Sequence, residues 1–99
     1  MTEETTNPQV NPEDLFPKDI YSFMKMIMGS LSSQVWIFLG LMPHPSTQKV
    51  EKDINQAKIA LDTIDFIYNR ISSTMEEAEK KAYEELLGNL KLNFIEQSK

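Results

Sequence analysis

Residues 23–45 read FMKMIMGSLSSQVWIFLGLMPHP. Nearly every turn of this stretch is apolar, Lys25 is its only full charge, and four methionines and several aromatics surround a cluster of Gly, Ser and Gln. Three readings compete for it: a membrane span, a pocket for a lipid or hydrophobic peptide, and a core helix with a neighbour on two sides. Asp19 suits the N-cap position, Gly40 supplies a left-handed stop, and Pro43 and Pro45 bar continuation, so the sequence predicts a helix over 20–39. At 100° per residue, Ile20, Met24, Ile27, Leu31, Val35 and Phe38 fall on one arc, with Phe23, Met28 and Leu39 on its flanks. This arc is the expected face toward the rest of the chain. Opposite it, Ser22, Gly29, Ser33 and Gly40 form a ridge of small residues, bordered by Met26 and Ile37 on one edge and Trp36 on the other. Small residues between large apolar ones let a second helix approach closely, and such a surface is self-complementary when the neighbour is another copy. Burying Met26, Trp36 and Ile37 twice in a twofold interface yields on the order of 10–18 kcal/mol, against an association cost of roughly 4–15 kcal/mol. These seven residues are therefore the candidate interface of a homo-oligomer, a side-by-side or intertwined helical dimer.

A span from Ile20 to Met42 is a poor membrane helix, because Ser22, Lys25, Ser30, Ser32, Ser33 and Gln34 oppose insertion and no basic cluster flanks it. Integral membrane insertion is not expected. The methionines suit an adaptable surface for a lipid or hydrophobic peptide, which keeps a carrier role as the alternative to an interaction module.

Working outward, the first 17 residues carry four acids and no base among Thr, Asn and Pro. That composition predicts a flexible tail, with one helical turn favoured at 11–14 by Asn11, Pro12, Glu13 and Asp14. It has no apolar run and is not expected to be a signal peptide. Asp53 announces a second helix over 54–71, whose Ile54, Ala57, Leu61, Ile64, Tyr68 and Ile71 make an apolar stripe, with Lys58, Asp62, Asp65 and Asn69 on another side. A third helix is expected over 75–97, opened by Thr74 and Glu77 in capping-box spacing and striped by Met75, Ala78, Ala82, Tyr83, Leu86, Leu90 and Phe94. No segment alternates with period two long enough for a strand. The fold class is all-α, one domain of three helices over 18–99.

The chain has 99 residues, a net charge of -5 and no cysteine. Its bases are scattered among acids, so nucleic acid is not expected as a partner. Lack of cysteine removes disulfides, thiol nucleophiles and Cys-rich zinc sites, and fits a cytoplasmic location. His44 stands alone between two prolines and reads as a loop residue rather than a metal ligand. Asp62 and Asp65 share a helix face, but with Lys58 one turn away they read as a solvated surface rather than a cation site. Ser30, Ser32 and Ser33 lack a strained nucleophile turn and a nearby base. No catalytic residue, cofactor or metal is expected.

Three blocks carry a resemblance. SLSSQVWIFLGLMPHP at 30–45 is similar to a pattern S-L-x-x-Q followed by L-G-x-x-P-x-P; AKIALDTIDFI at 57–67 resembles A-K-x-x-I-D-x-L; and RISSTMEE with LLGNLKLNFIE, ending at Glu96, stands where the pattern has K-T-x-G-N-L and then L-L-x-x-L-R. Together they resemble a bacterial family of small cytoplasmic helical proteins catalogued only as a domain of unknown function. The resemblance implies three helices and no particular activity. It departs at 70–75, where Arg70, Ile71, Ser72, Ser73, Thr74 and Met75 lack the pattern's Gly, and at Lys91, which replaces an Arg suited to bidentate carboxylate contact.

Overall fold

The computed structural model describes residues 16–99. The expected tail lies outside the described residues up to position 15, as does the helical turn expected at 11–14; Phe16, which follows, is exposed. Three α-helices follow in order: α1 over Ile20–Phe38, α2 over Ile54–Ile71 and α3 over Glu77–Ser98, with a 3-10 turn at Ser72–Thr74 before α3. No strand occurs among the described residues.

The first two helices start as the sequence predicts. Asp19 accepts the Ser22 backbone N–H at 2.7 Å, and Asp53 accepts the Gln56 N–H at 3.2 Å, each satisfying one of the amides that a helix N-terminus leaves unpaired. α1 closes in a Schellman arrangement: Gly40 N–H donates to Ile37 O at 3.0 Å and Leu41 N–H to Trp36 O at 3.1 Å, with Gly40 at φ +81°. The connection then turns on itself, Gln48 N–H donating to His44 O and His44 N–H to Lys49 O. Asp53 N–H donates to Phe38 O at 2.8 Å, so the start of α2 is tied to the end of α1 and the pair forms an antiparallel hairpin.

The start of α3 differs from expectation. No capping box forms at Thr74 and Glu77: the Thr74 hydroxyl donates to Ile71 O at 2.6 Å, closing α2, and α3 begins after Glu76, which makes no side-chain cap. Met75 is buried in an extended conformation, and holding that side chain in the core delays the helix by two residues. Glu77 and Glu79 still place negative charge at its positive end.

The core comprises Met28, Val35 and Leu39 from α1 and its cap, Ala57, Ala60, Leu61, Ile64, Ile67, Tyr68 and Ile71 from α2, Met75 from the turn, and Leu87 and Leu90 from α3. The α2 stripe matches the sequence reading, with Ala60 and Ile67 widening it toward α1. Along α3, Ala78 and Ala82 are exposed and Leu87 takes a buried place instead. α2 is the central helix: it packs extensively on both α1 and α3, which touch each other only sparsely. The largest correction concerns α1. Its buried line is Met28, Ser32, Val35 and Leu39, so the centre of burial shifts from the middle of the expected arc toward its Met28 and Leu39 flank. Met24, Ile27, Leu31 and Phe38 pack against the core half-buried, as the arc predicts, and Ile20 departs from it at 59% exposed. The cause is that α3 covers the far side of α2, leaving a single helix to pack on α1. Ser32 tolerates its buried position because its hydroxyl donates to Met28 O at 2.8 Å.

A candidate interaction face

The residues of the small ridge do not stand together as one open groove. Ser22 is exposed, with its hydroxyl 3.2 Å from the Asp19 carboxylate that caps α1. Gly29 and Ser33 are exposed, and a Cβ added at Gly29 would meet nothing within 4 Å. Met26 is half-buried, and Trp36 packs against the core cluster of its own chain. Ile37 is only 2% exposed, so its burial needs no partner and drops out of the interface energy. Gly40 lies beyond α1, where a Cβ would stand 3.2 Å from Lys52 Cβ; it turns the chain rather than receiving a helix.

His44, Asp62 and Asp65, weighed for chemistry, are occupied by structural bonds. His44 Nδ1 accepts the Ser46 N–H at 3.0 Å while its ring meets Phe38 edge-on at 6.2 Å between centroids, so it organises the α1–α2 connection. Asp62 pairs with Lys58 at 2.7 Å, and Asp65 pairs across to Lys91 of α3 at 3.2 Å. Lys91 therefore does meet a carboxylate, through one contact instead of an arginine fork. Among the described residues, no three His, Cys, Asp or Glu side chains gather as a metal site. Lys25, the single charge of the opening stretch, reaches Glu79 at 2.9 Å and ties α1 to α3. The Tyr68 hydroxyl donates to Glu84 at 2.9 Å; burial first, and then the Glu84 carboxylate, pushes its ionisation above the usual phenol range. Burial likewise raises Tyr83, whose ring centroid lies 6.1 Å from that of Tyr68.

Besides Leu92 and Ile95, exposed on α3, the structure leaves open a broader face that α1 and α2 present together, away from α3. α2 carries a second stripe, Gln56, Ile59, Thr63, Phe66 and Arg70, spaced three and four apart and turned away from its core stripe. Ile59 is 68% and Phe66 65% exposed. Beside it on α1 run Ile20, Met24, Ile27, Leu31, Gln34 and Phe38 at the same spacing, flanked by Tyr21. Two shallow depressions follow the seam. One, of about 200 Å³, is lined by Leu31, Gln34 and Phe38 against Gln56, Ile59, Ala60 and Thr63. The other, of about 360 Å³, lies between Ile20, Tyr21 and Met24 and the residues Phe66, Ile67, Arg70 and Ile71. Arg70 is the one charged side chain among these lining residues. A signal for this face was present in sequence: Ile59 and Phe66 fit neither the core stripe of α2 nor its polar side. They are seven apart, and with Thr63 between them they continue a helical line.

No helix among the described residues is long and apolar enough to cross a membrane. A family model described as a domain of unknown function, DUF1844, matches residues 21–96. That match takes in all of α2, α1 but for Ile20, and α3 but for its last two residues. No curated protein and no solved structure matches the chain.

Proposed function

Since the chain belongs to this family, to which no activity is attached, we propose from its surface that it is a non-enzymatic interaction or scaffolding module acting as a homodimer. The observation that carries the reading is the largely apolar face of α1 and α2, interrupted by Gln34, Gln56, Thr63 and Arg70. Ile20, Ile59 and Phe66 each leave more than half of their surface in water, on a single face and with half-buried apolar neighbours between them. Contiguous exposed apolar surface of this extent marks interaction sites in proteins that are otherwise well packed. Light scattering at micromolar concentration tests it: wild-type protein is expected at twice the chain mass, and Phe66→Glu at the mass of one chain with its helix content unchanged. A wild-type monomer defeats the homodimer reading. The ridge of Ser22, Met26, Gly29 and Ser33 is the other dimer face, and a dimer that survives Phe66→Glu but not Gly29→Glu would assign it there.

A carrier for a lipid or hydrophobic peptide draws support from the same depressions. Ligand sites bury most of their ligand within about 300–1,000 Å³, a range that the depression beside Phe66 enters at about 360 Å³ and the one beside Ile59 does not reach at about 200 Å³. Native mass spectrometry of freshly purified protein would show a retained ligand if this second reading holds.

A further inference from the structure

We infer that the second copy packs on the α1–α2 face in antiparallel register, one twofold axis crossing both helices near Thr63 and between Ile27 and Leu31, so that two hairpins form a four-helix core with both α3 helices outside. This rests on the homodimer reading and adds its geometry.

Three observations lead to it. The α2 stripe is nearly symmetric about Thr63: Gln56 and Arg70 stand seven residues to either side, with Ile59 four before it and Phe66 three after it. Reversing the helix places each Ile59 near Phe66 of the partner subunit and brings the two small Thr63 side chains to the axis. The α1 stripe has the same property, with Ile20 and Phe38, Met24 and Gln34, and Ile27 and Leu31 as its exchanging pairs. The two centres lie level, because one depression sets Phe38 beside Gln56 and the other sets Ile20 beside Arg70. A single axis therefore serves both helices, and facing stripes of three-four spacing interdigitate as in antiparallel bundles.

The area is adequate. Ile20, Tyr21, Ile59 and Phe66 together expose on the order of 500 Å², and the half-buried α1 residues bring the face to roughly 700–800 Å², near the ~800 Å² per partner of a stable interface. Charge chooses the register. A parallel arrangement would lay α2 on α1 of the partner subunit and set each Arg70 against the apolar Ile20 end, where no side chain lining the depression carries an opposite charge. The antiparallel one sets Arg70 against the Gln34 and Gln56 end. There Gln56 Nε2 donates to Asp53 at 2.8 Å, and its amide oxygen remains to accept from a guanidinium.

The natural absence of cysteine makes the test clean. Gln56→Cys/Arg70→Cys is expected to form a covalent dimer under mild oxidation on the order of 100-fold faster than either single variant, because the paired thiols sit at millimolar effective concentration over a micromolar bulk. Light scattering on unmodified protein accompanies it. Rapid linking of Ile20→Cys chains to Arg70→Cys chains would establish the parallel register, overturning this inference while the homodimer reading stands. A dimer in which neither pair links quickly would move the contact to another face and also overturn it. A monomer would overturn both readings and leave the face to a different occupant: the chain's own residues 1–15, an unlike protein or a hydrophobic ligand.

Discussion

α2 carries two apolar stripes with different fates. The stripe through Leu61, Ile64 and Tyr68 is closed by α3, and its rim is stitched by polar contacts within the chain: Tyr68 to Glu84 at 2.9 Å and Asp65 to Lys91 at 3.2 Å. The stripe through Ile59, Thr63 and Phe66 has comparable spacing, yet no ion pair among the described residues spans the α1–α2 face it belongs to. Surface pairs contribute little energy, typically about 0–1 kcal/mol each. Their value here is positional, since they fix the register of a seam that apolar contact has already closed. The open stripe lacks such positioning inside the chain.

The largest effect expected follows from that contrast. Ile64 is fully buried at the centre of the closed stripe, and Ile64→Ala is expected to cost about 2–5 kcal/mol in urea unfolding, from lost transfer energy and the cavity left behind. Ile59→Ala removes the same atoms from the open stripe, and below the dimer dissociation concentration it should change stability by less than about 0.5 kcal/mol. Similar losses for both variants in dilute protein would show that the two stripes are not distinct. A loss for Ile59→Ala that grows with protein concentration would sharpen the distinction, because only an associated face makes stability depend on concentration.

A smaller effect is expected where the hairpin is set, since both stripes depend on α1 and α2 lying side by side. Gly40 has φ +81°, and a Cβ there would stand 3.2 Å from Lys52 Cβ. Gly40→Ala is expected to cost roughly 1–2 kcal/mol for the left-handed backbone, plus whatever displacement Lys52 needs. Thermal melts would record it as a lowered midpoint, and loss of dimerisation at equal folded fraction would show that the turn also sets the α1–α2 face. An unchanged midpoint would deny the turn its role.

Much of this was legible in the sequence. The bounds of α2 and the start of α1 could be read because Asp19, Asp53 and Gly40 act locally, through bonds within four residues of themselves. The orientation of α1 could be read only in part, because its apolar residues extend over so wide an arc that burial could centre on the 20/24/27/31 line or on its 28/35/39 flank. The choice was made by α3, whose position on the far side of α2 is a tertiary fact. Ile37 illustrates the same limit: its helical angle places it with the exposed ridge, and its burial in the folded chain appears only in three dimensions. Ile59 and Phe66 were visible as apolar residues outside the α2 core stripe, but their importance depended on which line of α1 lay beside them.

The smallest effect expected concerns acid. The Ser22 backbone N–H holds the Asp19 carboxyl below its ordinary value of 3.8, and the Gln56 side chain and then its backbone N–H do the same for Asp53. A carboxyl whose ionisation is depressed by folding contributes stability that is present above 3.8 and fades as pH falls through the lower folded value. Both groups cap helices of the hairpin, whereas α3 begins at Glu76 without a side-chain cap. Acid should therefore loosen the starts of α1 and α2 before it disturbs the α3 start through capping. Asparagine caps about as well as aspartate and carries no titrating proton. Asp19→Asn/Asp53→Asn is accordingly expected to match wild type near neutrality and to lose less stability between about pH 5 and 2. Hydrogen exchange would place the difference in amides 20–23 and 54–57. Parallel decline of the two proteins across that range would mean that acid acts elsewhere, and the hairpin would then owe its positioning to the Gly40 turn and the apolar seam alone.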